Sequence, residues 1–121
     1  MKFGLLTAIL EGTTFEEAVD FAAENQLECL EVACWPNTGG AKRRYAGVCH
    51  IDAEALTEEK AKEIIQYCKE RNVEISSLGY YPNTLDPDLE KRKQYIDHIY
   101  ALIDASSMLN VNMVTTFLAR V

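Results

Sequence analysis

Glu31 is the first residue in this chain that calls for chemistry. It is a carboxylate set between Cys29-Leu30 and Val32-Ala33-Cys34, in the run L-E-C-L-E-V-A-C-W-P-N-T from Leu27 to Thr38. A carboxylate buried without partners is expensive, so Glu31 must meet either a substrate hydroxyl or a structural hydrogen-bond network. The chain nearly repeats this run. Val73 to Thr84 reads V-E-I-S-S-L-G-Y-Y-P-N-T, and a weaker copy without the proline exit starts at Val111, V-N-M-V-T-T-F-L-A-R. Aligning the copies puts Ser77 and Thr115 in one column with Glu31, and pairs Cys29 with Ile75 and Trp35 with Tyr81. Trp35 and Tyr81 leave equivalent positions just before prolines, so their rings are held. They suit stacking on the apolar face of a sugar, or packing under their own loops.

Other polar residues carry two readings each. His50 follows Cys49 and is either an acid/base or ligand, or a loop histidine without a catalytic part. His98 reads as a mid-helix residue among exposed neighbours. Gly39-Gly40 before Lys42-Arg43-Arg44 would suit a phosphate or carboxylate, or is a solvated loop. Arg120 could fork onto an oxyanion, although it is the penultimate residue, and Tyr80 is a weaker candidate still. Cys34, Cys49 and His50 match no zinc-ligand spacing. No G-x-G-x-x-G or G-K-[ST] occurs, so dinucleotide and P-loop sites are unsupported.

The elements that would position these residues alternate. Lys2–Thr7 reads as a strand. Thr13 with Glu16 and Thr14 with Glu17 offer overlapping capping boxes for a helix burying Phe15, Ala18, Val19 and Ala22, stopped by Asn25. A strand to about Cys34 follows. Thr57 opens a second helix, with Ala61, Ile64, Ile65 and Cys68 inward, ending at Asn72. A third strand runs from about Val73 to Gly79. Asp86-Pro87 reads as the cap and first position of a third helix, with Ile96, Ile99, Leu102 and Ile103 inward, ending at Asn110. A fourth strand closes the chain. Repeated helix, tight turn, strand and loop means stacked βα units and a parallel sheet. The helix-to-strand turns are short and the strand-to-helix connections long, so function belongs at the carboxyl ends of the strands. A loop as long as the one after Cys34 is usually functional.

With 121 residues, 48% hydrophobic and 26% charged, the chain fits a single domain with a sizeable core. Its net charge of −7 disfavours nucleic acid and anionic membrane as partners. It shows neither a signal-peptide layout nor a membrane span, and its four cysteines lack C-x-x-C spacing, so reduced thiols and a cytoplasmic location are expected.

The segments G-L-L-T-A-I-L, T-F-E-E-A-V-D-F-A-A-E-N, L-E-C-L-E-V-A-C-W-P, R-R-Y-A-G-V-C-H-I-D, V-E-I-S-S-L-G-Y-Y-P-N and V-N-M-V-T-T-F, in that order, resemble the amino-terminal half of sugar phosphate isomerases/epimerases. These belong to the xylose-isomerase-like TIM-barrel superfamily, which also holds the endonuclease IV type of repair enzyme. The resemblance spans essentially the whole chain, although none of its segments is diagnostic of a reaction. It implies a (β/α)₈ barrel that isomerises or epimerises a sugar or sugar phosphate, commonly with a divalent metal. Such enzymes place their metal ligands and acid/base glutamates mostly on strands five to eight. No catalytic or metal-binding residue is therefore expected among these 121 residues. Glu31, Trp35, His50, Tyr81 and Arg120 are expected on the substrate side.

A complete barrel needs about 250 residues. Residues 1–121 thus read as one partial TIM-barrel domain, βαβαβαβ, without its carboxyl-terminal half. That half-barrel is expected to be inactive alone and to expose a sheet edge prone to self-association. Three alternatives stand beside this reading: a non-catalytic carbohydrate-binding half-barrel, a metal-dependent phosphodiesterase, and a flavodoxin-like open sheet.

Overall fold

The structure, a computed structural model, describes residues 1–37 and 46–118. Strands Gly4–Leu6 (β1), Cys29–Ala33 (β2), Glu74–Gly79 (β3) and Val114–Thr115 (β4) form one sheet in the order β1-β2-β3-β4, every pair parallel. Helices Phe15–Glu24 (α1), Glu58–Arg71 (α2) and Leu89–Met108 (α3) connect them. A strand order that follows the sequence is that of successive βα units in a barrel wall. A flavodoxin-like sheet has order 2-1-3-4-5, so that alternative is excluded.

Local chemistry explains most boundaries. Only one residue can be the N-cap of α1, and it is Thr14. Its hydroxyl accepts from Glu17 N at 3.1 Å, while Glu17 Oε2 accepts from Thr14 N at 3.2 Å. Thr13 is not a cap, because its hydroxyl donates to Leu10 O at 2.7 Å. That bond belongs to a 3₁₀ turn over Thr7–Leu10, which ends β1 earlier than the expected Lys2–Thr7. Asn72 and Asn110 take the left-handed conformation after α2 and α3, with φ of 57° and 55°. After α1 it is Gln26 that does so (φ 60°), not Asn25, whose side chain instead donates to Phe21 O at 2.8 Å. The cap of α3 is Asp88, accepting from Glu90 N and Lys91 N at 3.0 and 3.3 Å. The expected cap, Asp86, accepts from Asp88 N at 2.9 Å in a turn that precedes the helix, so Pro87 lies outside it.

The core lies between the sheet and the helices. Leu30 and Val32 from β2, with Leu78 and Tyr80 at β3, meet Phe15, Val19 and Ala22 of α1, Ala61, Ile64 and Cys68 of α2, and Leu102 and Ala105 of α3. The inward face of α3 matches the expected one at Leu102, which is buried, and at Ile99, which packs against the core, and differs elsewhere. His98, Leu102, Ala105 and Ser106 are buried, whereas Ile96 and Ile103 are 36% and 48% exposed. Two faces of this helix have apolar spacing, and contact with β3 and β4 selects the one carrying the histidine. Between α1 and α2, Tyr67 and Arg71 donate to Asp20 Oδ1 at 2.8 and 2.7 Å. These bonds, the tyrosine's foremost, hold the Asp20 carboxyl below its ordinary range.

The β2–β3 register contains a bulge. Leu30 pairs with Ile75 but Glu31 pairs with Ser77, leaving Ser76 as the extra residue. Its hydroxyl donates to Leu30 O at 3.1 Å. The sequence alignment of Cys29 with Ile75 is therefore off by one below the bulge, where Cys29 faces Glu74. Above it the alignment holds.

Candidate functional site

Glu31 points away from the helices, to the sheet face that would be the interior of a barrel. Hydroxyls from two further strand ends converge on its Oε1. Ser77 Oγ donates at 3.1 Å, the Tyr81 hydroxyl at 2.7 Å, and Thr115 Oγ1 also donates. Tyr81 and Thr115 lie 2.9 Å apart, oxygen to oxygen. The other oxygen, Oε2, has no partner among the described residues.

The column expected at one level is slanted. Glu31 is in register with Ser77, but Thr115 is in register with Gly79, one layer nearer the strand exits, and reaches back to the carboxylate. Gly79 provides the room. A Cβ there would lie 3.2 Å from the Tyr81 ring and 3.3 Å from Glu31 Cδ. Burial, and then the hydrogen bond to Glu31 and its charge, raise the Tyr81 phenol above its ordinary value, against the opposing effect of Thr115. Tyr81 is thus a neutral O–H donor at neutral pH. Its ring leans on Phe117 with centroids 5.0 Å apart.

Trp35 is half-buried at the exit of β2, its ring edge-on to Tyr80 with centroids 5.0 Å apart. Tyr80 in turn meets the His98 ring at 4.7 Å. His98 Nδ1 lies 2.8 Å from Glu54 Oε1 and Nε2 lies 2.8 Å from Cys34 O. Both partners are acceptors, so the two contacts are satisfied together when both ring nitrogens carry hydrogen. The structure thus corrects the reading of His98 as an exposed-face residue. It is 3% exposed and ties α3 to the exit of β2 and to the long loop. Its signal lay in the spacing His98, Leu102, Ala105, Leu109, one continuous helical face.

His50 belongs to a second network, separate from Glu31. Its Nδ1 is 2.9 Å from Thr7 Oγ1 and its Nε2 is 3.2 Å from Thr13 Oγ1. Thr13 already donates to Leu10 O, so it accepts from Nε2–H. Thr7 Oγ1 also accepts from Ala33 N at 2.8 Å, so the same hydroxyl ties the His50 ring to β2. His50 N also donates to Ala33 O at 2.9 Å, fixing the returning loop on β2. Thr7, fully buried at the end of β1, was not foreseen as its partner; a threonine at a strand end carries no signal of its own. Beyond His50 lies a cleft of about 490 Å³ between the amino ends of α1 and α2, lined by Thr13, Phe15, Asp52, Lys60 and Ile64 among others.

Arg120 and the Gly39-Gly40, Lys42-Arg43-Arg44 stretch lie outside the described residues. Among the described residues no three His, Cys, Asp or Glu side chains converge as metal ligands, and Glu31 Oε1 already accepts three hydroxyls. This donor set does not fit a divalent cation. Among the described residues no helix is long and apolar enough to cross a membrane.

Comparison with known proteins agrees with this architecture. A family model described as a xylose isomerase-like TIM barrel matches residues 19–121. Among solved structures, the probable 3-DHS dehydratase AsbF of Bacillus anthracis superposes with a TM-score of 0.61 at 24% identity, over 97% of this chain and 38% of its own. D-psicose 3-epimerase of Clostridium cellulolyticum H10 gives 0.65 at 17% identity, over 96% and 37%. A xylose isomerase domain protein of Planctomyces limnophilus gives 0.64 at 12% identity, over 99% and 42%. The chain therefore spans well under half the length of the structures it matches. No curated protein matches it.

Proposed function

From the premise that this chain belongs to the xylose isomerase-like TIM-barrel family, with four parallel strands forming half of such a barrel, we propose that it forms the substrate-holding half of a sugar isomerase or epimerase. Its ligand is a ketose or ketose phosphate. The observation that carries the reading is the convergence of Ser77, Tyr81 and Thr115 on one oxygen of Glu31. Three hydroxyl donors fix the carboxylate and leave Oε2 to accept from a sugar hydroxyl. Each hydrogen bond to a charged group is worth about 1.5–3 kcal/mol, enough to set the orientation of a polyol. Trp35 supplies a held apolar ring at the exit of the same strand, β2, at the end where ligands of α/β barrels bind. Sugar epimerases among the structural neighbours support a ketose, and the proton transfer itself falls to groups beyond those described here.

Titration calorimetry with ketohexoses and their phosphates tests this on the 121-residue chain and on any longer form carrying it. Binding that weakens about tenfold in Glu31→Gln and less in Tyr81→Phe is expected. Indifference of binding to Glu31→Gln, or no ketose bound by the longer form, would defeat the reading. Binding without turnover by the longer form would favour the carbohydrate-binding alternative.

A further inference from the structure

Cys34 and Cys49 face each other across the one antiparallel bridge of the described residues, formed where the long loop returns to the exit of β2. The flanking bonds, Trp35 N to Val48 O at 3.1 Å and His50 N to Ala33 O at 2.9 Å, mark them as a non-hydrogen-bonded pair. In such pairs the Cα atoms lie about 4.5 Å apart and both side chains leave the same face. That separation lies within the range a disulfide spans. The remaining cysteines, Cys29 and Cys68, belong to β2 and α2, and no bridge joins either to another cysteine. We infer that Cys34 and Cys49 form a reversible oxidation site, closing on each other as a disulfide that pins the long loop to the rim carrying Trp35 and His50.

The half-buried Cys49 is the entry point. Its thiolate attacks one sulfur of a low-molecular-weight disulfide, forming a mixed disulfide and releasing one small thiolate. The Cys34 thiolate then attacks the Cys49 sulfur and releases the second. Two protein thiols are oxidised, one small disulfide is reduced to two thiols, and the two cysteine protons end on those thiols. Cys34 is fully buried, and its Sγ must leave Val32 O, on which it donates at 3.4 Å. Burial foremost, and the neighbouring Cys49, raise the Cys34 thiol above its ordinary range. The second step is therefore the slow one and quickens as pH rises.

The test is oxidation of the whole folded chain with glutathione disulfide, followed by thiol counting and digestion with trypsin and a glutamate-specific protease. The two proteases separate Cys29 from Cys34 and Cys34 from Cys49. The expected result is loss of two of four titratable thiols and a linked pair of peptides, Val32–Lys42 with Tyr45–Glu54. A reductant should undo it, Cys49→Ser should abolish the link, and Cys68→Ser should leave it intact. Four titratable thiols after prolonged oxidation at pH 8.5, a stable mixed disulfide at Cys49 that never resolves, or a link through Cys29 or Cys68 would overturn the inference. Retained circular dichroism in each variant excludes misfolding as the cause. The outcome is independent of whether the protein binds a ketose.

Discussion

At the residue scale, the interior site depends on a missing side chain as much as on those present. A Cβ at Gly4 would sit 2.1 Å from Cys29 O, a backbone atom that cannot yield without parting β1 from β2. A Cβ at Gly79 would instead press on the Tyr81 ring and Glu31 Cδ at 3.2 and 3.3 Å, where a few tenths of an ångström suffice. Gly4→Ala is therefore expected to be the more damaging, at several kcal/mol. Gly79→Ala should cost about 1 kcal/mol while displacing the Glu31 cluster. Thermal unfolding of both, with ketose titration of the second, checks this; equal losses of stability would contradict it. Tyr81→Phe removes one O–H from Glu31 and should cost about 1–2 kcal/mol, since Ser77 and Thr115 keep the carboxylate satisfied.

At the scale of elements, two neighbouring threonines separate capping from loop-holding. Thr14→Ala strips the capping box of α1 and should cost about 1 kcal/mol in chemical denaturation. Thr13→Ala leaves that cap intact and removes the hydroxyl that meets His50 Nε2, so it should cost less helix stability than Thr14→Ala in the same denaturation. The same logic separates Asp88, which caps α3, from Asp86, which caps nothing. Asp88→Ala should destabilise by about 1 kcal/mol more than Asp86→Ala. A reversed order would mean that α3 starts where the Asp86-Pro87 pair first indicated.

At the scale of the whole molecule, buried acids set the alkaline limit. Burial pushes the Cys68 thiol up to about 11 and raises the Tyr80 phenol and the Cys34 thiol further. The folded state keeps its protons where the unfolded chain has lost them, so the unfolded state binds fewer protons and stability falls as pH rises. The contribution of Cys68 is complete below about pH 9, is lost as pH rises through about 11, and is on the order of 2 kcal/mol. Denaturant midpoints between pH 8 and 11 should fall, and fall less in Cys68→Ala. β4 is two residues long and pairs only with β3 among the described residues, and α3, which packs on both strands, leaves Ile96, Tyr100 and Ile103 exposed. Concentration-dependent association of this chain in sedimentation velocity is the expected result. A monomer at all concentrations would contradict it.

The sequence by itself determined the order and direction of the elements and the face on which Glu31, Ser77 and Thr115 lie. Period-two alternation, asparagine stops and short helix-to-strand turns are written in contiguous residues. Tertiary structure alone decided which of several equally spaced options was taken. Packing chose the His98 face of α3 over the face carrying Ile96 and Ile103. The extra residue at Ser76 set Cys29 against Glu74 rather than Ile75, and the antiparallel return of the long loop set Cys49 against Cys34. Each of those choices rests on a contact between residues far apart in the chain, where local propensity is neutral and the burial of one face or the satisfaction of one polar group breaks the tie.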